Sequence, residues 1–302
     1  MTSAEPAMPR SLGTRVRRKG LHLLALTRQM WRVNFTVRTE MAGRPLRIPI
    51  VYGQGSQNLA FFEPGIFGAF ERLLKVRPGT FVDVGVNVGQ TLLKVKVLDP
   101  DRAYVGFETN PRCCQYVEEL IKVNRFADCT VVPAGLADRN GLLALYLRPN
   151  VSLDPMATTI RDFSEGGDAV RRQVAAVFRG DDVAASINIE DLAVIKIDTE
   201  GAELEVLSGF AETIQRDRPF IVCEILPVGD ALSPTGRIRL KRQCEVQALL
   251  RQWNYDVFRL HPDVRLQKMN DIGVHADLAL SNYLFAPVEQ RATVAGSFVI
   301  SE

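Results

Sequence analysis

The stretch Pro78-Gly79-Thr80-Phe81-Val82-Asp83-Val84-Gly85-Val86-Asn87-Val88-Gly89-Gln90 constrains this chain more than any other. A short apolar run closed by an acid and glycines suits a buried parallel strand, here ending around Phe81 and Val82. Gln90 to Leu98 then reads as a helix that buries Leu92, Leu93, Val95, Val97 and Leu98. Between them Gly85 and Gly89 supply the freedom a tight turn needs, and Asn87 tolerates left-handed backbone. A turn this bare lets a ligand approach amide groups at a helix N-terminus, where the dipole favours negative charge. It is not the dinucleotide fingerprint, which has glycines in first, third and sixth place; Asn87 and Gln90 hold the third and sixth. Alone, such a turn also suits a plain strand-to-helix connection.

Two further stretches add weight. Ala103 to Glu108 reads as a second strand ending in a carboxylate 23 residues after Gly85. Nucleoside-binding folds accept hydrogen bonds from ribose hydroxyls at that place. Ile195-Lys196-Ile197-Asp198-Thr199-Glu200-Gly201-Ala202-Glu203 ends another strand in a group of acids. With Asp83 to Gly89 and Phe107-Glu108-Thr109-Asn110-Pro111, this stretch resembles the FkbM-type family of S-adenosylmethionine-dependent methyltransferases, over roughly residues 60 to 287. The third stretch is the specific one, since most Rossmann-like methyltransferases share the first. Val86 and Thr109 depart from the Ala and Pro common in the family. The resemblance implies a Rossmann-like class I methyltransferase sheet, mostly parallel, with helices on both faces. It also implies methyl transfer to oxygen, on a hydroxyl of a sugar, glycan or secondary metabolite.

The remaining pattern agrees with an α/β chain. Strands are expected at Leu46–Val51, Thr130–Pro133, Leu142–Leu147, Val174–Phe178, Val194–Asp198, Phe220–Ile225, Asp256–Arg259 and Asn282–Ala286. Helices are expected at Phe61–Val76, Pro111–Asn124, Ala202–Ala211 and Val246–Trp253. Pro149 to Asp168 is the least regular stretch and suits a lid beside the pocket.

Four acids fall at strand ends: Asp83, Glu108, Asp198 and Glu224. In such a sheet the ligand lies beyond the carboxyl ends of the strands. Within the methyltransferase reading, Asp83 holds the methionyl ammonium, directly or through water, and Gly85, Asn87 and Gly89 line the turn. Glu108 takes both ribose hydroxyls. Asp138 either accepts from the adenine amino group or caps its own turn. Tyr52, Asn58, Phe61 and Glu63 are candidate cofactor neighbours. Asp198, Glu200 and Glu224 are the catalytic candidates. Asp198 can orient the cofactor, act as general base, or bind Mg²⁺ with Glu224, since hard oxygen ligands suit that ion. Glu200 and Glu203 can instead simply favour the start of the next helix. His275 is either a base at the pocket mouth or an ordinary loop residue.

Charge is uneven along the 302 residues. Residues 1–47 hold ten Lys/Arg against Glu5 and Glu40 (+8), leaving the other 255 at −6 from 27 basic and 33 acidic groups. The division suggests a basic arm over 1–47, partly disordered, ahead of a methyltransferase domain over 48–302. Thr14 to Val33, with Val16, Leu21, Leu24 and Met30 among basic residues, suits an amphipathic helix that packs on the domain or docks on a membrane or protein. The acidic remainder argues against nucleic acid as a partner. Five cysteines without CxxC spacing read as reduced thiols, and no signal peptide is evident, so a cytoplasmic location is expected. Two other functions fit the same motifs: N-methyl transfer to a small molecule or peptide, and a non-catalytic cofactor-binding module recruited through the arm.

Overall fold

The structure is a computed structural model and describes residues 34–60, 63–147 and 171–301. The chain enters through an antiparallel hairpin, β1 (Phe35–Met41) and β2 (Arg44–Ile50). Half-buried Phe35, Val37, Thr39 and Met41 alternate with exposed Thr36, Arg38 and Glu40. Ala42 and Gly43, both at positive φ, close the two-residue turn that suits the twist of a hairpin. Leu46, Ile48 and Ile50 are buried, so a division at residue 47/48 would fall inside a packed strand. The helix expected over Thr14–Val33, Phe61 and the stretch Pro149–Asp168 all lie outside the described residues.

The helix α1 (Pro64–Val76) starts on a proline and buries Ile66, Ala69, Phe70, Leu73 and Leu74, the stripe expected of an amphipathic helix. β3 (Thr80–Val84), α2 (Gln90–Leu98), β4 (Tyr104–Phe107) and α3 (Pro111–Asn124) follow. The Asn110 side chain caps α3 by accepting from the Arg112 amide at 3.1 Å. After β5 (Cys129–Val132), the chain builds a separate small sheet from β6 (Gly135–Ala137), β7 (Gly141–Leu147) and β8 (Arg171–Arg179). It then returns through α4 (Gly180–Ser186), β9 (Leu192–Ile197), α5 (Glu203–Gly209), α6 (Ala211–Asp217) and β10 (Phe220–Glu224). The C-terminal part comprises α7 (Pro234–Gln252), β11 (Tyr255–Leu260), β12 (Leu266–Met269), β13 (Asn282–Pro287), α8 (Arg291–Ser297) and β14 (Ile300–Ser301).

The large sheet has the order β14-β12-β11-β13-β10-β9-β3-β4-β5. From β10 to β5 all neighbours are parallel, while β13 runs against both β10 and β11. Successive residues of β3 feed opposite cores. Phe81 joins Phe70, Leu92 and Val117 on one face; Val82 joins Ile195, Leu207 and Phe210 on the other. Helices therefore cover both faces, as a parallel sheet requires. Ile48 and Ile50 of the hairpin pack with Tyr116, Val117 and Leu120 of α3 in the first of these cores.

Some elements differ from the sequence reading. The helix expected from Ala202, stopping near Gly209, ends at Gly209, and a second short helix not expected from the sequence follows fully buried Phe210. The stretch Val246–Trp253 does sit in a helix, and that helix begins well before it at Pro234, where Ser233 accepts from the Gly236 amide at 2.9 Å and caps it. β1, β6, β12 and β14 were not expected. No helix among the described residues is long and apolar enough to cross a membrane.

Candidate active site

A cavity of about 420 Å³ opens beyond the carboxyl ends of β3, β4, β9 and β10, where chain connections diverge to either side of β3. Its floor is the glycine turn. Gly85 sits at φ 91°, and any Cβ there would collide with the Asp198 carbonyl oxygen. Asn87 and Gly89 also have positive φ, at 50° and 77°. The Gly85 and Val86 amides both donate to the Phe107 carbonyl, at 3.0 and 3.2 Å. Glu108 completes the tie: its Oε2 accepts from the Asn87 amide at 2.8 Å and its Oε1 from the Asn110 amide at 2.7 Å. Burial pushes the Glu108 pKa up, and these amides oppose the shift. One carboxylate thus joins the turn to the end of β4 while lining the cavity.

Asp83 lies behind that lining rather than in it. It is fully buried and accepts a short hydrogen bond from the Tyr104 hydroxyl. The pleat directs its side chain sideways into the sheet face, so a direct ligand contact does not follow from its place at a strand end. Burial, opposed by Tyr104 and Lys196, raises its pKa to about 6. Its Oδ1 is buried without a hydrogen-bond partner among the described residues, which leaves one acceptor unused.

The opposite wall is acidic and holds one buried cation. Lys196 is the β9 partner of Asp83 and places its Nζ 3.1 Å from Asp198 Oδ2. Burial disfavours the ammonium, yet Asp198, Glu224 and Asp83 outweigh it and push the Lys196 pKa up. Asp198 and Glu224 lie within hydrogen-bonding reach of each other, and Ser281 Oγ donates to Glu224 Oε1 at 2.8 Å. Burial and the Asp198 charge raise the Glu224 pKa. Glu200, at φ 52°, is driven to about 8 by burial and then by repulsion from Asp198, Glu224 and Glu203. Glu203 serves the turn itself, accepting from Thr199 Oγ1 at 3.0 Å and the Gly201 amide at 2.9 Å.

Asp198 and Glu224 are therefore together, but the cation they face is the Lys196 ammonium. Among the described residues no cluster of three or more His, Cys, Asp or Glu is arranged to hold a metal. The geometry gives the Mg²⁺ reading no support.

The small sheet forms the roof with Leu136, Leu143, Leu145 and Val177. Asp138 stands at the rim, its side chain 42% exposed and paired with Arg139 at 3.1 Å. Of the residues preceding the turn, Glu63 lines the cavity and holds buried Lys94 at 2.7 Å. Asn58 acts from behind, donating to the Val88 carbonyl at 2.7 Å, and Tyr52 is exposed elsewhere. His275 Nε2 lies 3.1 Å from the Tyr283 hydroxyl and is not part of the cavity wall. Sequence reasoning assigned no role to Lys196, although a signal existed. A lysine inside the fully buried strand Leu-Ala-Val-Ile-Lys-Ile must find buried counter-charges.

Residues 83–257 match a family model described as the methyltransferase FkbM domain. No curated protein is a significant sequence match to this chain. Among solved structures, methyltransferase FkbM from Methylobacillus flagellatus KT is similar at 16% identity and a TM-score of 0.42, over 69% of this chain and 43% of that one. The chain thus spans under half the length of that relative. An O-methyltransferase from Bacillus cereus in complex with SAH is similar at 12% identity and a TM-score of 0.43, covering 75% of this chain and 81% of the other. The precorrin-6y C5,15-methyltransferase from Geobacter metallireducens GS-15 is similar at 11% identity and a TM-score of 0.37, over 73% and 85%. The fold assignment rests on the strand order, not on these likenesses.

Proposed function

Because the chain belongs to the FkbM methyltransferase domain family, we propose that it uses S-adenosylmethionine to methylate a hydroxyl of a sugar, glycan or similar polyhydroxylated small molecule. The residues present fit that cofactor. The cavity of about 420 Å³ is in the range of small-molecule sites. It joins a bare glycine turn, a carboxylate at the end of the second core strand, and an apolar roof. In this reading Glu108 accepts from the ribose hydroxyls, the Gly85–Gly89 turn accommodates the amino-acid end, and Leu136, Leu143 and Val177 cover the base, with Asp138 at its edge. Asp83 Oδ1 takes the methionyl ammonium through a water, since the side chain lies behind the wall.

When bound, the cofactor supplies an electrophilic methyl carbon on a sulfonium. The protein's own part is to position the acceptor and remove its proton. Asp198 is the carboxylate paired with the Lys196 ammonium, and it takes the acceptor's hydroxyl proton on a side-chain oxygen. Glu200 and Glu224, whose pKa values are raised, retain protons more readily and donate hydrogen bonds to the acceptor's other oxygens. Lys196 keeps the local charge from becoming prohibitive. The polar side chains around the cavity, Asp138, Glu200 and Glu205 among them, suit hydrogen bonding to a neutral polyol.

The observation that carries this reading is the placement of Asp198 and Glu224 across one cavity from the glycine turn and Glu108. The test incubates the protein with deuterated-methyl S-adenosylmethionine and a pool of metabolites and glycans, and reads products by mass spectrometry. Label in an ether on a glycan or metabolite is expected. Label only in RNA, DNA or protein nitrogen overturns the reading.

A further inference from the structure

We propose that the grooves between the β1–β2 hairpin and the C-terminal end of α3 form a docking surface for the phosphate-bearing headgroups of an anionic membrane. Two adjoining grooves lie there. Arg38, Arg47 and Arg125 line both, and Lys122 lines one; no Asp or Glu among the described residues lines either. All four cations are exposed.

Arg38 and Arg47 are direct cross-strand partners in the hairpin. Like charges directly opposite one another destabilise a strand pair. Among the described residues, Arg38, Arg47 and Arg125 make no ion pair, and Lys122 has Glu119 only at 3.8 Å. The end of a helix attracts cations, which accounts for Lys122 and Arg125 in part. It does not account for an arginine pair on a neighbouring hairpin facing the same grooves. An anion between them turns the repulsion into attraction.

The backbone that carries Arg47 is also held in place. The Arg47 amide donates to Asn124 Oδ1 and Asn124 Nδ2 donates to the Arg47 carbonyl, each at 2.7 Å. These bonds staple the hairpin to α3 beside the grooves.

Charge distribution favours a membrane over a nucleic acid. Residues 1–33, which lead directly into the hairpin, carry seven Lys/Arg against Glu5, so positive charge continues along the adjoining chain. Residues 48–302 carry a net −6, and the cavity rim is acidic. A nucleic acid reaching from the grooves to the cavity would cross that field, whereas a membrane touches one side only. The side is suitable. Asn110 and Cys113 at the start of α3 face the cavity, and Lys122 lies near the other end of its 14 residues, about 20 Å in all. Docking there leaves the cavity mouth clear.

The test uses the full chain with phosphatidylcholine vesicles, with and without phosphatidylserine, in a sedimentation assay. The parent is expected to bind only the acidic vesicles and to be released by salt. Each cation at such a surface is worth roughly fivefold, so Arg38→Gln with Arg47→Gln should bind about 30-fold more weakly. Lys122→Gln with Arg125→Gln should do the same. Every variant keeps residues 1–33, so the loss reports on the grooves. The Arg38/Arg47 variant should melt no lower than the parent, because a repulsive pair has been removed. Vesicle binding indistinguishable from the parent in both double variants overturns the proposal. So does a parent that binds single-stranded RNA or free inorganic phosphate while ignoring acidic vesicles.

Discussion

Glu108 does two things at once, and its removal takes away both. Its oxygens fasten Asn87 and Asn110 and face the cavity. Charged hydrogen bonds to ribose are worth about 1.5–3 kcal/mol each and water replaces part of the loss, so Glu108→Ala should weaken S-adenosylmethionine roughly 10- to 1000-fold by calorimetric titration. Unchanged affinity would remove Glu108 from the site. On the opposite wall, Lys196 supplies the positive charge that Asp198 and Glu224 require. Turnover should therefore be indifferent to a chelator and fall at least about 100-fold in Asp198→Asn, as expected when a general base is lost. Loss of turnover on chelation, restored by Mg²⁺, would reverse that assignment. Glu200 carries a stability signature. An unfolded glutamate titrates near 4.5, whereas this one titrates near 8. The folded state thus binds the extra proton, and the associated stability is present below pH 4.5 and lost as pH rises through 8. Glu200→Gln removes that loss. It should match the parent's melting temperature near pH 4 and exceed it at pH 9; a variant melting lower than the parent at pH 9 contradicts the burial argument.

At the level of elements, buried lysines also organise the scaffold. Lys96 on α2 donates to three carbonyls, those of Pro100 at 3.2 Å and of Arg102 and Ala127 at 2.6 Å each. It ties the end of α2 to the segments that lead into β4 and β5. Lys96→Met leaves these acceptors unpaired and should cost about 2–4 kcal/mol, read as a lower midpoint in urea unfolding. A midpoint equal to the parent's would show that water satisfies them. Such ties are invisible in sequence because the acceptors are backbone carbonyls, which every residue type carries, and one of them lies 31 residues away. Local signals were legible. α2 and α3 occupy the ranges read from sequence because Gly89 and the Asn110–Pro111 pair mark their starts within a residue or two. β1 was equally legible in its period-2 alternation and its Ala42–Gly43 turn, but Arg38 and the many basic residues before it drew it into a basic arm. β12 and β14 are short and owe their existence to partners, β11 and each other. Asp83 shows the remaining gap: its place at a strand end was readable, but the face its side chain takes depends on the pleat and on Tyr104.

For the molecule as a whole, charge and cavity are kept apart. The cationic grooves adjoin the C-terminal end of α3 and the cavity adjoins its N-terminal end. Deleting residues 1–33 should therefore leave S-adenosylmethionine affinity unchanged while reducing attraction to acidic vesicles in a salt-dependent way. Loss of cofactor affinity in that deletion would mean the segment contributes to the cavity. The two sheets are separate too. β6, β7 and β8 share no hydrogen-bonded strand with the nine-stranded sheet, yet Leu143, Leu145 and Val177 shape the cavity from above. The ceiling can accordingly be recut without touching the hydrogen-bond ladder that holds the glycine turn. In engineering terms it is an exchangeable cassette: grafting a different insert between β5 and β9 reshapes the roof over the base while the glycine turn and Glu108 stay in place.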